Sequence, residues 1–281
     1  MFPAPIERSS PPKRYLYYAA VVVALVAWLL PLLAVLLTSI RSAEDLNMGN
    51  YWGWPKEWKF SNFIEIFQAT PLARYLFNSV VITLPAVFCA IALATLGGYA
   101  LAKFKFRGNL LMFCIFVGGN FVPFQILMVP VRNMTLRFGL LDTFWALILF
   151  HLAFQTGFCT LFMRNFISTL PNALIESARV EGVNEFKIFW HIILPLLRPA
   201  LAALAVLLFT FVWNDYFWAL VLVQSDSVKP ITTGIASLRG QWLAAWQLIS
   251  AGSIVAALPP VAMFFILQRQ FIAGLTLGAV K

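Results

Sequence analysis

Charge is scarce in this sequence. Asp, Glu, Lys and Arg make up 11% of its 281 residues while hydrophobic residues reach 61%, against roughly 25% and 45–50% in an ordinary soluble domain. The shortage of charge excludes a soluble globular protein, and the apolar surplus excludes disorder, which requires low hydrophobicity. Histidine (2) and cysteine (3) are nearly missing as well. Cys89, Cys114 and Cys159 fall inside apolar runs without CxxC spacing, so they read as small packed hydrophobes and neither a disulfide framework nor a metal site is expected. There is no GxxxxGK[ST] phosphate loop to cradle a nucleotide and no GxSxG or HExxH. An intramembrane enzyme would have to rest on His151 with Ser250 or Ser253. The net charge of +9 meets no readable nucleic-acid module, so the cations are expected in cytoplasmic loops against anionic headgroups, with no nucleic acid as partner.

What the chain has instead is apolar runs of membrane-crossing length, for which about 20 residues suffice. Six are readable, at 15–40, within 75–102, within 108–131, within 143–163, at 200–223 with Asp215 inside, and at 249–267 with Pro259 and Pro260 inside. The expected fold is an all-α membrane protein with six transmembrane helices. The first run is far longer than the core of a secretory signal and reads as a retained helix. Of the 20 Lys and Arg residues, 12 fall on the side that holds both termini and the short turn with Lys103, Lys105 and Arg107, and 8 on the other. The positive-inside bias therefore puts both termini in the cytoplasm. Domain boundaries follow: 1–14 as a cytoplasmic N-terminal segment, 15–270 as the spanning domain, 271–281 as a cytoplasmic tail.

Three connections are long enough to have a task. Residues 41–74, outside, carry Tyr51, Trp52, Trp54, Trp58, Phe60, Phe63, Ile64 and Phe67, as an interfacial aromatic belt or a docking surface. Residues 225–248, also outside, hold Asp226, Lys229, Pro230, Gly234, Gly240, Gln241, Trp242 and Trp246 and could bend toward a central pathway. The cytoplasmic loop 171–199 reads as two short helices. Pro171 suits a first helical position and Gly182 a left-handed C-terminal cap. A second helix over 185–193 puts Phe186, Phe189, Trp190 and Ile193 on one face. By itself this could be an amphipathic hairpin at the membrane surface.

The spacing is more specific. Glu176-Ser177-Ala178, three residues, Gly182, nine residues, then Ile192-x-Leu194-Pro195 resembles the E-A-A, three, G, nine, I-x-L-P loop of permease subunits of binding-protein-dependent ATP-binding cassette importers. Ser177 stands where Ala is usual. Pro123-Phe124-Gln125 through Pro130, Gly139-Leu140-Leu141-Asp142-Thr143, and Trp213-Asn214-Asp215-Tyr216-Phe217-Trp218 are similar to sugar-importer permeases related to the G subunit of the maltose system. So is the ending Gln268-Arg269-Gln270-Phe271-Ile272-Ala273-Gly274-Leu275-Thr276 with Gly278-Ala279-Val280-Lys281.

The resemblance implies a type I importer permease fold and a half-channel. Its partners would be a second homologous permease, two copies of a cytoplasmic ATPase that bind the ATP and Mg, and an extracytoplasmic solute-binding protein. The cargo would be a carbohydrate or a related polyol or glycerol phosphate, the setting the lipid of the inner membrane, and this chain would need no cofactor. Glu176, Ser177, Ala178, Gly182, Leu194 and Pro195 would form the coupling helix and its loop. Gln268, Gln270, Phe271 and Gly274 would reach between the ATPase subunits. Asp215 stands alone as an ionisable mid-span group, unlike the relays of a secondary transporter. With Trp213, Asn214 and Tyr216 it would line the solute path, or it would anchor one span to another.

Overall fold

The computed structural model describes the backbone of residues 10–241 and 245–279 and the side chains of 10–238 and 245–271. Arg8, Arg239, Gly240, Gln241, Trp242 and the ending from Ile272 onward, Gly274 included, lie outside the described side chains. Helices account for the described architecture, in the order α1 Pro11–Ser39, α2 Ala43–Asn47, α3 Asn62–Ala69, α4 Leu72–Lys103, α5 Asn109–Gly119, a 3-10 turn Phe124–Leu127 into α6 Met128–Arg137, α7 Phe144–Ser168, α8 Asn172–Val180, α9 Glu185–Ile188, a π turn Phe189–Ile193, α10 Leu194–Leu196, α11 Arg198–Trp213, α12 Phe217–Leu222, α13 Ile231–Gln241 and α14 Trp246–Ala279. Among the described residues α1, α4, α7 and α14 are long and apolar enough to cross a membrane alone, and two bent pairs bring the number of spans to six.

Both bent pairs depart from the straight runs read in the sequence. The third run breaks after Gly119, and the pair Asn109–Gly119 and Phe124–Arg137 meets at 90°. Pro123, which has no N–H and restricts Val122 before it, prevents helix from continuing. The fifth run is not one helix over 200–223 either. It stops at Trp213 and restarts at Phe217, because Asn214 and Asp215 favour caps over helix interiors. Its other end is joined at 72° to the helix Glu185–Leu196, longer than the 185–193 read from sequence. That helix widens to a π turn where Leu194 N–H bonds Phe189 O. The widening makes room for the ring of Pro195, which would otherwise press on the carbonyl of His191.

The chain forms two compact units, Met1–Thr70 with Leu238–Val255 and Pro71–Ser237 with Ala256–Lys281. In the first, α1 exposes its aliphatic side chains along almost its whole length. A helix with an all-round apolar surface is solvated by lipid, where its internal hydrogen bonds satisfy the backbone. The segment after it is organised by Arg41, which is fully buried. Its guanidinium pairs with Asp45 at 3.4 Å and donates to the carbonyls of Asn50 and Gly53. Asn62 Nδ2 bonds Ser39 O at 2.9 Å and Arg41 O at 2.8 Å. A hydrogen bond from Asn50 holds the Asp45 carboxyl below its ordinary pKa. Tyr51, Trp52, Trp54, Trp58 and Phe60 stand exposed on this frame.

In the second unit α4 and α7 share the most extensive contact. Ile82, Ala86, Ala90, Ala94 and Gly98 are buried on α4, and the last four recur every fourth residue, so the two backbones approach closely. Gly98 sets the limit. A β-carbon there would lie 2.9 Å from Arg164 N and 3.0 Å from Met163 Cβ, whereas at Gly97 the nearest atom would be Thr160 Cγ2 at 3.6 Å. Cys159 is buried and Cys89 half-buried as expected, but Cys114 is exposed on α5, beside exposed Leu110, Leu111 and Ile115. α5 turns this side outward rather than packing it within the chain.

Two substitutions separate close packing from helix propensity. Gly→Ala gains about 1 kcal/mol inside a helix, so Gly97→Ala should leave the melting temperature in detergent unchanged or raised. Gly98→Ala should lower it, since overpacking against an unyielding backbone costs about 1–3 kcal/mol. Equal melting of the two variants would refute the close approach of α4 and α7.

Candidate coupling segment and span-five break

Helix α8 starts after Pro171, which sits at the cap with ψ 129° rather than at the first helical position read from sequence. The outcome for the chain is the same, because Pro ends any helix arriving from α7. Ile175 and Ala178 are buried on one face, while Glu176 and Ser177 are exposed on the other. Ala178 therefore faces the interior of this chain, and its small size serves packing there. The Ser177 hydroxyl donates to the Ala173 carbonyl. Gly182 has φ +77°. Its N–H bonds Arg179 O at 3.0 Å, and Val183 N–H reaches back to Ala178 O at 3.0 Å. These two bonds close the C-terminus of α8 and fix the direction of the chain beyond it.

The next helix begins at once. Asn184 caps α9 by accepting from Lys187 N–H at 2.9 Å. Arg179 Nε and Glu185 Oε1 meet at 2.5 Å, joining the last turn of α8 to the first of α9. The hydrogen bond from Arg179 holds the Glu185 carboxyl below its ordinary value. A lowered carboxyl pKa means that this contact is intact at neutral pH and is lost only as pH falls through that value. The apolar face of this helix is not the one the spacing suggested. Ile188, Phe189 and Ile193 are buried, whereas Phe186 and Trp190 are exposed; the π turn shifts the register of the residues after Ile188. Leu194 is half-buried, Pro195 exposed, and His191 exposed as read from sequence.

Two residues outside the loop hold it. Lys103, the last residue of α4, donates from Nζ to Leu170 O at 2.7 Å and to Asn172 Oδ1 at 2.8 Å. Tyr99, one turn earlier, donates from Oη to Glu185 Oε2 at 3.1 Å. A cavity of about 700 Å³ opens beside α8, lined among others by Lys103, Phe106, Asn109, Glu176 and Arg179. Sequence reading used Lys103 only for its charge and passed over Tyr99. Their spacing of four residues on a helix entering a basic turn was the available signal.

The span-five break places Trp213, Asn214, Asp215 and Tyr216 differently from one another. Trp213 is buried, stacks on Phe209 and donates from Nε1 to Ala256 O at 3.0 Å. It is a packing residue. Asn214 and Tyr216 are exposed. Asp215 accepts from Trp218 N–H at 3.3 Å and Ala219 N–H at 3.0 Å, capping α12. Its own carbonyl accepts from the Thr232 hydroxyl at 2.6 Å. It does not stand alone, since His151 Nε2 on α7 lies 3.5 Å from its Oδ2, with the side chains 5% and 14% exposed. Of the two roles left open for Asp215, the geometry is that of the anchor between spans. At the other end of the chain, α14 runs unbroken from Trp246 to Ala279. On it Gln268 and Phe271 are half-buried and Gln270 exposed, and the Phe271 ring packs against Phe264 at 5.7 Å.

Residues 10–276 match the family model described as "Binding-protein-dependent transport system inner membrane component". The chain belongs to this family. The permease is 35% identical over 261 residues to the osmoprotective compounds uptake permease protein GgtD of Synechocystis, covering 90% of this chain and 88% of that one. It is 35% identical over 254 residues to the arabinooligosaccharides transport system permease protein AraQ of Halalkalibacterium halodurans, covering 89% and 90%. In fold it is similar to a chain of a bacterial ABC transporter involved in the import of the acidic polysaccharide alginate, with a TM-score of 0.81 and 22% identity over 94% of the permease and 99% of that chain. It is thus a multi-pass membrane permease subunit of an ABC importer.

If Asp215 anchors the break, the two amides it caps decide the cost of losing it. Asp215→Leu leaves both without an acceptor, at about 1–3 kcal/mol, while Asp215→Asn keeps one acceptor oxygen. Thermal unfolding of the purified permease complex should rank wild type above Asn above Leu. A Leu variant as stable as wild type would remove Asp215 from this role.

Proposed function

We propose that this permease forms half of the translocation pathway of a carbohydrate importer of the inner membrane, with both termini in the cytoplasm. In this reading it pairs with a second, homologous permease and receives solute from an extracytoplasmic binding protein. Two ATPase subunits bind ATP and Mg and carry out hydrolysis, for which this chain has no phosphate loop. The permease itself acts mechanically rather than as an enzyme. The observation that carries the reading is the form of α8. It is a short helix clasped at both ends, with Glu176 and Ser177 exposed on the face away from the chain's own core.

Such a helix suits insertion into a cleft of an ATPase. Closure of the nucleotide-binding pair then turns the spans as rigid bodies between inward-facing and outward-facing access. Glu176 meets a basic or hydrogen-bonding group of the ATPase. Gly182 aims the helix, and Leu194 and Pro195 shape the return into α11. Gln268, Gln270, Phe271 and Gly274 extend toward the ATPase interface along α14. At the span-five break only Asn214 and Tyr216 remain free to meet solute, so this subunit contributes few contacts to it. Carbohydrate as cargo is supported by the arabinooligosaccharide permease among its relatives. The relative for osmoprotective compounds makes a polyol or other small polar osmolyte the second reading.

The coupling role is tested by Glu176→Lys and Gly182→Val, which should insert into the membrane normally. Loss of one partner from a charged interfacial contact costs about 2–5 kcal/mol. A branched residue at a left-handed position costs about 1–2 kcal/mol. ATPase co-purification or solute-stimulated hydrolysis should fail in both, and uptake with them. Full uptake in both variants would sink the assignment. Competition of uptake by neutral oligosaccharides against polyols separates the two cargo readings.

A further inference from the structure

The outer end of α4 is tied as tightly as its cytoplasmic end. Tyr75 donates from Oη to Asp226 Oδ1 at 3.1 Å. Asn78 Nδ2 bonds Ser227 O at 3.1 Å and Lys229 O at 2.9 Å, and Ser79 Oγ accepts from Ile231 N–H at 2.8 Å. Tyr75, Asn78 and Ser79 are all buried. The loop they hold is fixed within itself as well, since Lys229 Nζ meets Asp226 Oδ1 at 2.8 Å and Asp142 accepts from Gln224 and Ser225 N–H at 2.8 and 2.9 Å. Residues 224–231, the first part of the stretch read as able to bend, are thus bonded to α4 and to Asp142, and α13 follows directly.

From Tyr75 to Tyr99 the same helix rises roughly 36 Å at 1.5 Å per residue, which is about the thickness of the hydrocarbon core. We infer that α4 is the tie between the outer loop 224–231 and the coupling helix, with Tyr99 and Lys103 as the positioning residues that fasten α8 to it. This rests on the importer reading above. A hydrogen-bonded helix hardly stretches, so a displacement of α8 by the ATPase pulls on α4 through Lys103 and on the α8–α9 junction through Tyr99 and Glu185. The pull emerges at the outer surface at three adjacent side chains, each bonded to the loop. No other described helix joins that loop, the start of α8 and the α8–α9 junction by side-chain hydrogen bonds. α7 packs along α4 as its bearing surface and α11 lies against both.

The test uses the assembled complex in nanodiscs, with ATP, Mg and orthovanadate as the trapping probe and amide hydrogen exchange as the readout. The amides of Ser225 and Ile231 report on the outer loop. In the wild type, trapping should change their exchange about fivefold or more. Tyr99→Phe with Lys103→Met should abolish that response in complexes that retain bound ATPase, and Lys103→Arg in place of Lys103→Met, which keeps its donors, should restore most of it. A variant loop that responds like wild type overturns the tie, as does a wild-type loop that never responds. If the double variant fails to assemble, Tyr99→Phe alone decides, since it removes a single oxygen and should reduce the response about twofold. Absence of any co-purifying ATPase from the wild type marks failure of the importer reading itself, and the tie falls with it.

Discussion

A peptide group inside a bilayer has no water to turn to, so a chain may leave helical geometry there only where its own side chains or closed turns satisfy the freed donors and acceptors. This constraint shapes the break in the fifth span. At the span-five break the helix stops at Trp213, and the amides at the start of α12 would be orphaned in an apolar setting. Asp215 accepts two of them, and the Thr232 hydroxyl takes up its carbonyl. The cost of a carboxylate at that depth is offset by using it as a cap and by setting His151 beside it. Before α11 the π turn likewise closes on itself through Leu194 N–H to Phe189 O. These two irregularities are hydrogen-bonded joints between straight segments, as the proposed rigid-body rotation would need.

The same logic separates what the sequence revealed from what it withheld. The spans were legible because lipid imposes a simple pattern of about 20 apolar residues, and α1, α4 and α7 match the runs read for them to within a turn or so, while α14 begins near its run but continues well past it. The joints were harder to see. Pro123 and Pro195 were visible in the sequence, but hydropathy does not distinguish a straight span from two half-spans at 90°. In 200–223 the break arises from a cap formed by a residue that hydropathy scores only as a costly charge. Gly182 was read correctly because a left-handed turn after a helix is a local event, fixed within five residues.

Partnerships across long sequence separations were the least legible. Asp215 looked isolated because His151 lies on another span. Arg41 looked like one more external cation, yet it is wholly buried and supplies the centre of a small fold. Nothing in the neighbourhood of Arg41 announces this except Asp45 one turn later, a spacing common on exposed helices too. Ala178 was read as part of the coupling helix because the family pattern places it there, and its burial beside Ile175 within this chain was not visible in that pattern.

The coupling segment finally shows why rigidity and exposure have to coexist. A helix as short as α8 would fray in isolation, because nucleation is costly and few of its backbone bonds are closed. Here its first turn is clasped by Lys103, its last by Arg179 to Glu185, and its exit by the left-handed Gly182. None of these restraints uses Glu176 or Ser177, which leaves the outward face uncommitted. A surface hairpin resting on headgroups needs no such clasp, since lipid supports an amphipathic helix along its whole length. Restraints concentrated at the ends of a helix, with its exposed polar face left free, are what the proposed coupling role calls for.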